Sequence, residues 1–233
     1  MKKTIGVLGG MGPLATADLF RKIALLTKAA CDNDHIRVYI DSNAQIPDRT
    51  AAILSGGESP LQEMTDALDN LENLGASCIV MPCNTAHYFL PDLQKLTKIP
   101  FVSMLEATAK ACAAQFPGKT AGILATKGTL ATSLYTDALH NAGVASIMPD
   151  SLGQDALMTA IYDVVKAGKD LELCRGIFEE ILKTMAGQGA DYFILGCTEL
   201  PILWDGIHPD FQAIDPTTEL AKAAIRFCGY ETL

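Results

Sequence analysis

Two cysteines each stand where an apolar run gives way to a polar one. Cys83 follows Cys78-Ile79-Val80-Met81-Pro82 and precedes Asn84-Thr85-Ala86-His87. Cys197 follows Tyr192-Phe193-Ile194-Leu195-Gly196 and precedes Thr198-Glu199. In each case the pattern reads as a buried strand that hands over to a helix start. Free backbone N–H groups at a helix start favour anions, so they lower a thiol's pKa and can hold a carboxylate. If two such thiols approach one carbon from opposite sides, a specific reaction opens. One thiolate removes the α-proton and the other thiol protonates the opposite face, which inverts the centre. The pair exchanges roles for the reverse reaction.

The elements that must hold these thiols come from a duplication. Residues 4–16 match residues 120–132 at an offset of 116, with seven of thirteen positions identical. Gly75 to Cys83 matches Gly189 to Cys197 at an offset of 114. Phe101-Val102-Ser103 with Ala109-Lys110-Ala111 matches Ala213-Ile214-Asp215 with Ala221-Lys222-Ala223 at 112. Three matches in one order at nearly one offset predict two similar halves. Short apolar strands (Ile5–Leu8, Val38–Ile40, Cys78–Met81, Ile123–Leu124, Tyr192–Leu195) alternate with helical patterns over 14–29, 61–74, 153–167 and 171–187. Asp215 and Pro216 mark the start of a last helix. The expected fold is α/β, two similar three-layer αβα domains with short, mainly parallel sheets covered on both faces. Pro100 and Pro209 are the expected crossing points, giving 1–100 plus 210–233 as one domain and 101–209 as the other, with the active site in the cleft between them.

Composition excludes several function classes. With 233 residues, 49% apolar and 19% charged, the chain can build a real core. A net charge of −9 argues against nucleic acid or an anionic membrane as partner. Seven cysteines, an odd number without any C-x-x-C pair, fit a reducing cytoplasm better than a disulfide framework. No apolar run is long enough to span a bilayer. Lys2-Lys3 ahead of a mildly apolar stretch and Ala15-Thr16-Ala17 loosely mimics a signal peptide, but a signal peptide would not recur in mid-chain.

Gly9-Gly10-Met11-Gly12, Pro82-Cys83-Asn84-Thr85 and Gly196-Cys197-Thr198-Glu199 resemble the aspartate/glutamate racemase family along the whole chain. The resemblance implies a two-base mechanism with Cys83 and Cys197 as bases, no cofactor, a small amino-acid substrate, and usually a homodimer; no metal is expected. Glutamate racemases usually carry His where Glu199 stands, and the loop Ile46-Pro47-Asp48-Arg49-Thr50 is similar to that of aspartate racemases. The family therefore points to aspartate, with glutamate or a broad range as the alternative. It implies that Arg49 and Lys166 hold substrate carboxylates, which would answer how a strongly acidic protein binds an acidic substrate. Asn84, Thr85 and Thr198 would hold the other carboxylate. Met11 would line the site, and Thr126 and Lys127 are the second-half equivalents of Gly10 and Met11. Having both cysteines, where some relatives carry Thr for the first, implies a bidirectional enzyme.

Plainer readings stand beside these. Arg49 reads equally as a solvated loop arginine, and Lys166 as a helix-end lysine. Asn84, Thr85 and Thr198 read as caps, and Glu199 as an acid favouring a helix start. Cys31, Cys78, Cys112, Cys174 and Cys228 read as small core residues. A dinucleotide reading rests on Gly10-Met11-Gly12-Pro13-Leu14-Ala15 with Asp41, at a spacing longer than the fingerprint wants. A metal reading would need Cys78, Cys83, His87 and Cys197. Cys78 and Cys83 are five apart, so their side chains point to opposite faces of a strand; His87 is expected partly buried on the next helix. A solute-binding module fits two lobes but leaves the paired thiols without a role, and isomerases of the maleate type use one cysteine as an addition nucleophile.

Overall fold

The computed structural model describes residues 3–233, so Lys2 lies outside them. In chain order the elements are β1 (Ile5–Gly9), α1 (Pro13–Leu26), β2 (Val38–Ser42), α2 (Arg49–Leu54), α3 (Leu61–Asn73), β3 (Cys78–Val80), α4 (Leu90–Leu96), α5 (Met104–Gln115), β4 (Thr120–Ala125), α6 (Lys127–Ala131), α7 (Leu134–Asn141), β5 (Ala145–Ile147), α8 (Ser151–Thr159), α9 (Glu172–Gly187), β6 (Tyr192–Gly196), α10 (Leu200–Ile207), β7 (Ala213–Ile214) and α11 (Pro216–Phe227). The chain divides into two compact units, residues 1–107 with 217–233, and residues 108–216.

The first unit holds a parallel sheet in the order β2-β1-β3, and the second a parallel sheet in the order β5-β4-β6-β7. The three sequence offsets reappear as strand register. Ile5 pairs with Cys78, and Ala121, which is Ile5 plus 116, pairs with Tyr192, which is Cys78 plus 114. Ile79 forms a parallel bridge with Phe101, and Phe193 pairs with Ala213, which is Phe101 plus 112. Each half thus repeats one strand order with one alignment, the fourth strand being a single bridge in the first unit.

Side-chain alternation sends successive strand residues to opposite faces. On one face of the first sheet Ile5, Val7, Cys78 and Val80 pack with Leu19 and Ile23 of α1 and Leu220, Ala224 and Ile225 of α11. On the other, Leu8, Ile79 and Met81 pack with Met64, Leu68 and Leu71 of α3 and Leu93 of α4. In the second unit Leu124, Phe193 and Leu195 pack with Leu157 of α8, Phe178 and Leu182 of α9, and Leu200 and Leu203 of α10. Each fully buried Leu or Phe contributes roughly 1.5–3 kcal/mol. Cys83 and Cys197 extend the same alternation, Ile79-Met81-Cys83 and Phe193-Leu195-Cys197, and so fall on equivalent faces beyond equivalent strands.

The duplication reaches single contacts. A Cβ at Gly6 would lie 2.8 Å from Ala76 Cβ and 2.9 Å from Ile79 Cδ1. A Cβ at Gly122 would lie 2.7 Å from Phe193 Cδ1 and 3.2 Å from Ala190 Cβ, the matching residues. Glycine recurs there because the helix-to-strand corner presses on the neighbouring strand.

Local chemistry sets the helix ends. Pro13 starts α1 and Pro216 starts α11. Asp48 and Asp150 cap α2 and α8 by accepting from Ala51 N and Gly153 N. The pattern over 14–29 ends earlier, at Leu26, because Thr27 turns into extended backbone while its hydroxyl binds Ile23 O at 2.6 Å. The pattern over 153–167 becomes α8 followed by a π-helical segment, Ala160–Val165. No helix among the described residues is long and apolar enough to cross a membrane.

Candidate active site

The first thiol follows β3. Cys83 is buried, its N–H donates to Met81 O at 2.9 Å, and the chain then enters a tight helical turn over Thr85–Phe89. His87 on that turn is also buried, deeper than the sequence pattern implied. Its Nε2 accepts from Met104 N at 3.0 Å, so the proton sits on Nδ1, which lies 2.9 Å from Cys83 O and donates to it. Burial pushes the imidazole pKa down to about 4 against the opposing pull of that carbonyl. A neutral His87 therefore ties the Cys83 backbone to the start of α5. Asn84 and Thr85 are buried beside it, and Met11 lies in the same apolar cluster as Cys83.

Arg49 opens α2, which packs against the Thr85–Phe89 turn. The side chain is only 9% exposed, so the solvated-loop reading does not hold. Its Nη1 donates to Ile46 O at 3.1 Å and Pro47 O at 2.9 Å. Its Nε is buried with no hydrogen-bond partner among the described residues. A buried guanidinium with an open donor has the charge and the N–H to receive an anion. The backbone before it is set by Gly10, whose φ of +90° brings β1's exit so near Asn43 that a Cβ would lie 2.2 Å from Asn43 O.

The second thiol follows β6. Cys197 is buried, and its carbonyl accepts from Leu200 N at 2.9 Å as α10 begins. Its thiol donates to Glu199 Oε2 at 2.9 Å, and Thr198 Oγ1 donates to the same oxygen at 3.2 Å. Lys166 Nζ lies 3.9 Å from Glu199 Oε1 and 4.2 Å from the Tyr162 ring centroid. Lys166 follows the π-helical segment, its N–H bonding back five residues to Ile161 O at 3.0 Å. Such segments insert an extra residue into a helix and recur at functional sites. Burial pushes the Cys197 thiol well above its ordinary pKa, the Glu199 charge and hydrogen bond add to this, and Lys166 opposes it.

The structure therefore assembles Cys197, Thr198 and Lys166 in the second unit, and Cys83, Asn84, Thr85 and Met11 in the first, with Arg49 on the helix packed against the Cys83 turn. Thr126 is buried and spends its hydroxyl as the cap of α6, accepting from Thr129 N at 3.3 Å. Lys127 is held in an ion pair with Asp155 of α8. Glu199 is the residue that sequence reasoning undervalued, as an acid merely favouring a helix start. Its signal was its place directly after Cys197-Thr198, where glutamate racemases carry another ionisable residue. His87 had only its spacing of four from Cys83. Cys78 lies in the opposite core layer, 3.9 Å from the Cys228 sulfur, which separates it from Cys83 as the spacing predicted. Among the described residues no group of three or more His, Cys, Asp or Glu could hold a metal ion.

Comparison with known proteins converges on one family. The model of the Asp/Glu/Hydantoin racemase family matches residues 8–224. The chain is 29% identical over 229 residues to the broad specificity amino-acid racemase RacX of Bacillus subtilis, covering 95% of this chain and 96% of the relative. It is 31% identical over 204 residues to a glutamate racemase of Shewanella woodyi, covering 85% and 69%. Among solved structures, the Picrophilus torridus aspartate racemase superposes with a TM-score of 0.85 at 30% identity, covering 99% of this chain and 96% of that one. A glutamate racemase of Francisella tularensis shares the fold, with a TM-score of 0.68 at 21% identity, over 97% and 80%. With a family model spanning nearly its whole length and the strand order repeated in both halves, the chain belongs to the Asp/Glu/Hydantoin racemase family.

Proposed function

We propose that this chain interconverts L- and D-aspartate without a cofactor, by proton transfer between two thiols. The observation that carries the reading is the equivalent register of Cys83 and Cys197 beyond β3 and β6, each followed at once by a turn of helix. The reaction requires the two sulfurs to address opposite faces of one Cα. A thiolate takes the α-proton and becomes a thiol; the other thiol protonates the carbanion and becomes a thiolate. The next turnover in reverse starts from that exchanged state. Arg49 binds the side-chain carboxylate through its open Nε, and Lys166 serves a substrate carboxylate as the second cation. Asn84, Thr85 and Thr198 hold the α-carboxylate, and Met11 and Thr126 shape the walls. Water exclusion and fixed donors supply the carbanion's stabilisation.

A glutamate or broader substrate range is the second reading, favoured by the full-length likeness to a broad-specificity racemase. The net charge of −9 supports a small-molecule partner rather than nucleic acid or an anionic membrane surface. Free thiols throughout the described chain support work in a reducing cytoplasm, and the family resemblance supports a homodimer.

The test is incubation with L-aspartate, then L-glutamate, in D2O with no added cofactor. The expected product is α-deuterated D-aspartate, seen by chiral chromatography and mass spectrometry. Cys83→Ala and Cys197→Ala should each cut its formation by about 10³-fold, within the range of a lost acid or base. Absence of exchange with either amino acid would overturn the assignment. A larger rate with glutamate would move the substrate and keep the mechanism.

A further inference from the structure

Glu199 has no place in the two-base scheme, yet it is the group nearest the second base. Its Oε2 accepts the Cys197 S–H at 2.9 Å and the Thr198 O–H at 3.2 Å. Its Oε1 faces Lys166 Nζ at 3.9 Å. The carboxylate side chain is only 13% exposed, and Lys166 is 30% exposed. The two oxygens thus divide their work, one toward the thiol and one toward the ammonium.

We propose that Glu199 is a positioning residue for Cys197, orienting its thiol and retaining its proton, while Lys166 serves as the counter-charge. This rests on Cys197 being one of the two bases. The geometry admits a single direction of donation, because an ionised carboxylate offers only acceptor sites. The thiol proton is therefore aimed at Oε2. A carboxylate so near a sulfur raises the cost of a thiolate there, and Lys166 limits that cost from the other side.

Among the described residues, the charged and titratable groups facing Cys197 fit this account. Glu199 comes from its own loop and Lys166 from the end of the π-helical segment. Tyr135 comes from α7, its ring 3.3 Å from where a Gly196 Cβ would stand. Burial pushes the Tyr135 phenol far above its ordinary range, so it stays neutral and adds no charge of its own. The backbone N–H of Glu199 favours the thiolate, as helix-start donors do, and is outweighed by burial and the carboxylate.

The consequence is that free protein holds Cys197 as a thiol, the proton donor of the pair. Substrate carboxylate and Glu199 then compete for Lys166. A ligand that draws the ammonium away strengthens Glu199's hold on the thiol proton.

Alkylation tests this without any substrate. The full chain is treated with iodoacetamide across a pH series, and the Cys197 peptide is followed by mass spectrometry in wild type, Glu199→Gln and Lys166→Met. Glu199→Gln keeps the shape and an acceptor oxygen but removes the charge. Its Cys197 midpoint should move down by about one pH unit, making alkylation at pH 8 about tenfold faster. Lys166→Met should move the midpoint up, and the Cys83 peptide should respond to neither change. The pH dependence of α-deuterium incorporation should move in the same direction in Glu199→Gln. A Cys197 midpoint that is unchanged in Glu199→Gln, in a protein with wild-type circular dichroism, would overturn the proposal. If no protein incorporated deuterium while the midpoint still shifted, the racemase reading would fail and the Glu199–Cys197 coupling would stand.

Discussion

Cys83 and Cys197 end equivalent strands on equivalent faces, yet they are served by opposite kinds of partner. Cys83 is held through its backbone: neutral, buried His87 donates to its carbonyl and accepts from Met104 N. Cys197 is held through its sulfur, by Glu199. The nearby cations differ in the same sense. Arg49 is buried with an open donor, whereas Lys166 is part-exposed and shares Glu199. The duplicated scaffold therefore stayed the same at the level of register while the groups at its tips diverged. Strands paired on both sides and packed on both faces tolerate little change, because a slip of one residue would turn every side chain to the wrong layer. Loops beyond them are free to acquire chemistry.

Replacing His87 should give a large effect on stability, and it tests whether the first station is a structural clamp. The folded-state pKa of about 4 lies below the ordinary 6.5. Between those values the unfolded chain binds a proton that the folded chain refuses. Stability from this group is thus complete above pH 6.5 and falls as pH drops toward 4. The loss should total about 3 kcal/mol at pH 4. His87→Gln should be less stable than wild type in urea unfolding at pH 7, with the gap closing by about that amount at pH 4. A gap that does not narrow would mean that His87 is not the buried neutral bridge described.

Arg49→Met comes next. Losing the cationic partner of a carboxylate should lower kcat/KM about thirtyfold, about 2 kcal/mol. Lys166→Met should cost less, because its ammonium is already shared with Glu199 and part-exposed. Steady-state kinetics on both variants would check the order, and a larger loss at Lys166 would reverse the proposed division of labour.

A further comparison falls where the halves agree. Gly6→Ala and Gly122→Ala each force a Cβ into contact closer than 3.0 Å and should destabilise by about 1–3 kcal/mol. The two costs should be similar, because Gly6 meets Ala76 Cβ at 2.8 Å and Gly122 meets the buried Phe193 ring at 2.7 Å, and neither can swing aside. Urea midpoints of the two variants give the comparison directly.

Much of this was legible in the sequence because register is written in spacing. The offsets of 116, 114 and 112 were visible as strings and returned as strand pairs. Cys83 and Cys197 could be placed at strand ends because apolar runs stop there. Other elements were too quiet. β5, only Ala145–Ile147 and part-exposed, carries no apolar run to announce it. α7 and α10 are single short helices, of eight residues each. The π-helical segment could not be seen, since a period of 3.6 is what a helical pattern measures and a bond to the fifth residue leaves little trace in six letters. Arg49 and Glu199 show the deeper limit. Burial of a guanidinium and the aim of a carboxylate depend on rotamers and neighbours distant in sequence, and their letters alone read equally well as surface residues.

The π-helical segment has a consequence for insertions and deletions. It amounts to one residue added to an otherwise α-helical turn just before Lys166. Removing one residue from Ala160–Val165 would let the segment wind as an ordinary α-helix and leave Lys166 on nearly the same side of the helix axis, because the wider turn absorbs the added residue. Removing one residue from the regular turns of α8 instead would rotate Lys166 by about 100° and carry it away from Glu199. The length of chain is therefore constrained in α8 and tolerant in the segment that follows it.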